Sequence, residues 1–327
     1  MGRTPDAPEP APAVSGVSGS RRMKVVRILL AALAAGVLLF LAVMFAIWRR
    51  PITTLDALAR AGLRLSGFRQ SEIAGPRGRL SLYTGGAGTP VVLLHGVNDT
   101  VSQWASVAGE ISAGHRVILP ELAGHGRSEP REGTLTVGDL LAGVDAVLLR
   151  EAPDGPITLV GASIGGWVAL LWALEHPERT RAVILVNGVA LSQFSGVVNM
   201  LPTTREEARR MLDALTGPAA PKAAGFFLDD VARRSADSPL ARLMRTSYAP
   251  WLLDDRLAQV RAPVVLIWGD EDELLPYSYA REVARRLPQA RLVDLPGCGH
   301  VPARECPGLL LPALKQAIDA PSDVSGP

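Results

Sequence analysis

Short apolar runs alternate along this chain with stretches of helical period, and no other feature constrains its fold as strongly. The runs are Val91–Leu94, Arg116–Leu119, Ile157–Val160, Ala182–Val186, Val264–Trp268 and Arg291–Leu295. Between and after them lie helical patterns over 101–112, 136–150, 165–175, 278–287 and 307–318. Strands apolar on both faces need cover on both faces, and parallel neighbours need a crossover, usually a helix. The expectation is an α/β protein with a mostly parallel central sheet and helices on both faces. Ahead of these, Phe68–Ile73 and Arg79–Thr84 read as a hairpin turning at Gly75-Pro76-Arg77-Gly78. A length of 327 residues allows two folding units of roughly 150 residues, but one α/β domain of this size is common.

Residues 190–257 break the alternation with helical patterns and no obvious strand: Thr204–Leu215, Ala223–Ser235 and Leu240–Tyr248. Thr204 followed by Glu206 and Glu207 reads as an N-cap with acidic residues in the first turn. This segment is expected to be a helical cap over the sheet. Its apolar side chains (Phe194, Met200, Leu201, Phe226, Phe227, Leu228, Trp251) could line an acyl pocket or form the cap's own core. Phe226 and Phe227 are the substrate-binding candidates.

The N-terminus stands apart. Residues 1–20 hold four Pro, three Gly and three Ser without apolar period, the composition of a disordered tail. Residues 21–50 read as a membrane anchor: Arg21, Arg22, Lys24 and Arg27 precede Ile28–Trp48, 21 residues without a charge, and Arg49-Arg50 close the run. That length of helix spans about 30 Å, the thickness of the hydrocarbon core. A cleaved signal peptide is the rival, but its apolar region is normally shorter and leads to a small-residue cleavage site. Four basic residues flank each end within about 20 residues, so the positive-inside rule does not choose a side of the membrane. Residues 51–67 are a linker packed on the domain or an amphipathic helix near the bilayer, 68–320 the main domain, and 321–327 a tail.

Lys+Arg number 34 and Asp+Glu 32, a net charge of +2 with no basic stripe, so a nucleic-acid partner is not expected. Two cysteines make neither a disulfide scaffold nor a four-Cys zinc site, and whether Cys298 and Cys306 pair is open.

The chemistry falls at strand ends. Gly161-Ala162-Ser163-Ile164-Gly165-Gly166 follows the strand Ile157–Val160 and opens a helix. This is a G-x-S-x-G turn in the strand-to-helix setting that exposes a serine nucleophile. A serine needs a base, and the base a carboxylate to orient it. Of five histidines, His95, His115, His125 and His176 read as structural, whereas His300 sits in Gly297-Cys298-Gly299-His300 just after the last strand. Asp270, Glu271, Asp272 and Glu273 all follow the strand Val264–Trp268, and the residues alone do not choose among them. Oxyanion donors are expected at the backbone N–H of Ile164, beside the nucleophile, and of Val97 in the loop His95-Gly96-Val97-Asn98.

With these pieces in place, residues 66–320 resemble the α/β-hydrolase superfamily. The matching segments are Leu94-His95-Gly96, Glu121-Leu122-Ala123-Gly124-His125-Gly126-Arg127-Ser128, the serine turn, Trp268-Gly269-Asp270-Glu271-Asp272 and Gly297-Cys298-Gly299-His300. The resemblance implies Asp272 as the acid, from the pattern W-G-x-x-D, and the order Ser163, Asp272, His300. It departs at Glu121, where most relatives carry Asp, and at Asn98, where many carry Gly or Pro. Leu201-Pro202-Thr203-Thr204-Arg205-Glu206-Glu207 further resembles the cap segment of membrane-anchored monoacylglycerol lipases. A serine at the nucleophile position disfavours dehalogenase and epoxide-hydrolase chemistry. The resemblance implies a carboxylic-ester hydrolase without metal or organic cofactor, its partners an ester or lipid substrate and the bilayer. A hydrolase of small metabolites, an acyltransferase and a non-catalytic module are the alternatives.

Overall fold

A computed structural model describes residues 18–192, 198–218, 220–287 and 289–322. The expected tails fall almost wholly outside these residues, and so does Phe194. The chain divides into two compact units, Met1–Arg49 and Arg50–Pro327.

The first unit is the helix α1 (Ser18–Arg49). Within it Met23–Arg49 is strongly apolar and exposed. It is long and apolar enough to cross a membrane.

The second unit opens with α2 (Pro51–Leu65), which starts on a proline at its first turn, where the missing N–H costs nothing. Then come β1 (Arg69–Gly75), β2 (Gly78–Gly85), β3 (Pro90–Leu94), α3 (Ala108–Ser112), β4 (Arg116–Pro120), α4 (Val137–Glu151), β5 (Ile157–Ala162), α5 (Ile164–Glu175) and β6 (Thr180–Val186). The cap follows with α6 (Arg205–Leu215), α7 (Gly225–Ser235) and α8 (Pro239–Leu243). The chain ends with β7 (Val264–Gly269), α9 (Tyr277–Arg286), β8 (Ala290–Leu295), α10 (Pro302–Glu305) and α11 (Pro307–Asp319).

The strands form one eight-stranded sheet in the order β1-β2-β4-β3-β5-β6-β7-β8. β2 runs antiparallel to β1 and β4; from β4 to β8 every pairing is parallel. Side chains alternate between two cores, as a period of two demands. In β3, Val92 and Leu94 pack with α4, α5 and α9, while Val91 and Leu93 pack with Leu63 of α2, with α3 and with α11. Helices therefore cover both faces, as the apolar strands require.

Three expected elements differ from the structure. The hairpin turns at the expected Gly75-Pro76-Arg77-Gly78, but its strands extend into the turn, to Gly75 and Gly78, which pair across Pro76-Arg77, and Gly78 takes a left-handed φ of 117°. The expected helix over 101–112 is broken into a 3-10 turn, Val101–Trp104, and the short α3. Trp104 and Val107 are fully buried there and the Ser106 hydroxyl donates to the Ala303 carbonyl at 2.6 Å, so tertiary contacts override the helical period. Leu240–Tyr248 is helical only in α8, because the Thr246 hydroxyl donates to the carbonyls of Leu243 and Leu135 and leaves the helical ladder. Thr204 does cap α6, accepting from the Glu207 N–H.

Candidate active site

The serine turn owes its shape to its glycines. Ser163 joins β5 to α5 with φ 50° and ψ −122°, a left-handed conformation rare for a residue with a side chain. A Cβ on Gly165 would lie 2.5 Å from the Leu94 carbonyl oxygen, and one on Gly161 would strike the Gly165 carbonyl. Only glycines let β3, β5 and α5 close this tightly. The Ser163 carbonyl accepts from the N–H groups of Gly166 and Val189, both at 2.9 Å, which pins the strained turn from two sides.

The loop after β3 passes directly above it. A Cβ on Gly96, the residue before Val97, would lie 3.4 Å from that of Ser163. Gly96 is fixed by its N–H to Gln103 Oε1 at 2.8 Å, and Asn98, at φ 58°, accepts the Leu240 N–H of the cap on its side chain at 3.0 Å. Asn98 thus fills a left-handed position that Gly commonly takes, and adds a tie to α8. Ile164 begins α5, where the first N–H groups have no i−4 carbonyl within the helix to donate to.

Asp272 and His300 meet from the loops that follow the neighbouring strands β7 and β8. His300 Nδ1 lies 2.7 Å from Asp272 Oδ2, and both side chains are buried. The other oxygen of Asp272 accepts the N–H groups of Leu274 at 2.9 Å and Leu275 at 2.8 Å. The three neighbouring carboxylates go elsewhere: Asp270 accepts the Gly297 N–H at 2.6 Å, and Glu271 and Glu273 are exposed. The cap clasps the same loop, since the His300 N–H donates to the Leu215 carbonyl and Glu305 accepts from the N–H groups of Gly217, Gly299 and Val301.

Asn187 escaped the sequence reading. It follows β6, is fully buried, and has φ 46°. Its Nδ2 donates to Asp272 Oδ2 at 2.5 Å and to the Gly299 carbonyl at 3.4 Å, while its Oδ1 accepts the Gly269 N–H at 3.2 Å. The signal was the dipeptide Asn187-Gly188 at a strand end, which favours left-handed backbone but does not name the partners.

The remaining histidines have structural partners. His95 is fully buried with Nδ1 at 2.8 Å from the Gly96 carbonyl and Nε2 accepting the Leu122 N–H at 3.1 Å, which requires the neutral Nδ1–H form. Burial lowers its pKa, and burial with the neighbouring His95 pushes that of His125 down to about 3. His115 faces Asp319, and His176 faces Asp145 and stacks on Trp172. Glu121, longer than the usual Asp, accepts the Arg127 N–H at 2.7 Å and pairs with the buried Arg60 of α2. Phe226 is exposed and Phe227 half-buried on α7, while Leu228 takes the cap's buried position. Among the described residues no cluster of three His, Cys, Asp or Glu side chains has metal-binding geometry.

The sequence over residues 89–303 matches the family profile of the alpha/beta hydrolase fold. The chain belongs to the α/β-hydrolase family. This hydrolase is 31% identical over 239 residues to a pimeloyl-[acyl-carrier protein] methyl ester esterase of Aromatoleum aromaticum, covering 65% of this chain and 91% of the relative. It is 26% identical over 252 residues to a 2-hydroxy-6-oxo-6-phenylhexa-2,4-dienoate hydrolase of Burkholderia cepacia, covering 68% of this chain and 85% of that one. Among solved structures, a membrane phospholipase A shares the fold with a TM-score of 0.72 at 23% identity, over 93% of this chain and 99% of the other. The mostly parallel sheet is the one expected from the alternation of strands and helices, and the apolar N-terminal helix the one expected from the charge-free run Ile28–Trp48.

Proposed function

We propose that this hydrolase is a membrane-held serine esterase that cleaves carboxylic esters, lipid esters such as monoacylglycerols foremost, through an acyl-enzyme on Ser163. One observation carries the reading: a serine on a strained strand-to-helix turn lies under the Gly96-Val97 loop, in the fold that also brings His300 and Asp272 to 2.7 Å. Ser163 Oγ attacks the acyl carbonyl and its proton passes to His300 Nε2. The N–H groups of Val97 and Ile164 receive the oxyanion. His300 then protonates the leaving alcohol, and water repeats the cycle on the acyl-enzyme. Asp272 holds the imidazole through Nδ1 and stabilises it when charged. Phe226 and Phe227 contribute apolar surface for the acyl chain.

The apolar Met23–Arg49 supports the membrane reading, and its confinement would concentrate the enzyme where amphiphilic esters partition. A second reading, hydrolysis of a carbon–carbon bond or aryl ester in small metabolites, is favoured by the Burkholderia cepacia relative. Labelling with a fluorophosphonate and turnover of three substrates (a monoacylglycerol, a short water-soluble ester and a ring-cleavage diketone) test both. Ser163→Ala should abolish labelling and lower kcat on the order of 10⁶-fold with the fold intact. A variant keeping a tenth of the wild-type rate would remove Ser163 from its role, and exclusive turnover of the diketone would select the second reading.

A further inference from the structure

A helix on the surface of a water-soluble domain turns its leucines inward and its charges outward. In α2 only Leu63 follows that rule: its other three leucines stay outside, while the ion pair of Asp56 and Arg60 turns toward the domain. Arg60 is 2% exposed and pairs with Asp56 and with Glu121; Asp56 in turn accepts the Thr100 hydroxyl. At the start of α2 the Ile52 N–H donates to the Asp230 carboxylate at 3.2 Å, and Arg234 donates to Thr53. The charged side of α2 is therefore spent on the domain and its cap helix α7. The opposite side carries Leu55 (44% exposed), Leu58 (46%) and Leu65 (90%), with Gly62 in the same stripe. At about 100° per residue these four positions fall within a quarter turn of one another.

We propose that this leucine stripe of α2 is a bilayer-docking face, seated at the headgroup–acyl boundary. The proposal rests on the membrane reading above. Chain continuity selects the occupant. α2 begins at Pro51, directly after the basic pair Arg49-Arg50 that ends the uncovered apolar helix. Leu55 is six residues past Arg49, so no more than about 20 Å of chain separates it from the end of a span. An interfacial helix buries an apolar face of this kind among acyl chains and turns its polar face away. Here the polar face meets the protein rather than water, so docking also fixes the domain through Glu121, Thr100 and α7.

The full-length protein is reconstituted in phosphatidylethanolamine–phosphatidylglycerol vesicles with one new thiol, Leu58→Cys or, as reference, Arg150→Cys on α4. Both native cysteines are paired and do not compete for the label. A fluorophore at position 58 should be quenched by brominated acyl chains and shielded from aqueous iodide, and one at position 150 should behave in the opposite way. A label at 58 as open to iodide as that at 150 overturns the proposal. Shielding from both quenchers that grows with protein density would assign the stripe to a second copy of the chain, and also overturns it. The triple variant Leu55→Glu, Leu58→Glu, Leu65→Glu should lose about fivefold or more on an ester embedded in the vesicles. Its rate on a short soluble ester should stay within about twofold, because exposed side chains distant from the core seldom affect folding. Equal losses on both substrates overturn the docking role. Quenching reads the docking without any turnover, so a failure of the esterase reading and a failure of this one are separable.

Discussion

Asn187 joins the acid, the histidine loop and the serine turn at a single residue. Its amide donates to Asp272 and Gly299, its neighbours Val186 and Val189 bond Ser163, and its own N–H donates to the Ile267 carbonyl of β7. Asn187→Asp tests this without disturbing the turn, since Asp also tolerates left-handed backbone and keeps an acceptor for the Gly269 N–H. It replaces the donor facing Asp272 with a carboxylate. Losing a hydrogen bond to a charged group costs about 1.5–3 kcal/mol, so the rate should fall roughly 10- to 100-fold. When protonated, the introduced carboxyl regains a donor, so the ratio of variant to wild-type rate should rise as pH falls from about 8 toward 5. A ratio that stays flat with pH and follows the loss in Tm would make Asn187 a structural residue only. The strained turn at Ser163 was legible because it is local and needs adjacent glycines. Asp272 was not legible from the residues alone: four carboxylates stand in a row, and only the fold turns Asp270 to Gly297 and Asp272 to His300. Asn187 was invisible because its meaning depends on three segments distant in sequence.

At the scale of elements, periodicity located α4, α5, α9 and α11 and all eight strands, because burial on a sheet imposes it. It failed where side chains bond across the chain, as at Ser106 and Thr246. The cap is fastened by a bond pattern of the same long-range kind. Arg242 of α8 is 4% exposed and donates to the carbonyls of Gly133, Gly124, Arg131, Pro130 and Glu132. Burial lowers its pKa, yet five carbonyl dipoles receive its guanidinium. Arg242→Met keeps much of the volume and strands those carbonyls. At about 1–3 kcal/mol for each buried group left unsatisfied, with some reached by water, the loss should be about 3 kcal/mol or more. Thermal unfolding reads the loss directly. Because α8 also donates the Leu240 N–H to Asn98, KM for a long-chain ester should rise more than kcat falls. A variant with wild-type Tm would show that the five bonds contribute nothing net.

At the scale of the whole molecule, the membrane reading proposed above requires a face of the bilayer for the hydrolase domain, and the disulfide selects it where the flanking charges do not. Cys298 and Cys306 form a disulfide that closes the segment holding His300 and Glu305. In the chain-entropy account so short a loop contributes about 2–3 kcal/mol, and the bond fixes the histidine loop to the start of α11. Such bonds persist in oxidising compartments and are rare where glutathione and thioredoxin keep thiols reduced. The domain is therefore expected on the oxidising side, with the basic cluster Arg21, Arg22, Lys24 and Arg27 on the other. Acid-quenched membranes from the expressing cell, denatured and treated with a maleimide of added mass, should show no reactive thiol before reduction and two after it. A protease added to intact, wall-stripped cells should reach the domain without lysis. Reduction of the purified enzyme should slow the ester reaction several-fold, as the loop around His300 gains freedom, and reoxidation should restore it. Two thiols reactive before reduction, together with protection from the external protease, would put the domain on the reducing face, where its substrate would have to come from the inner leaflet.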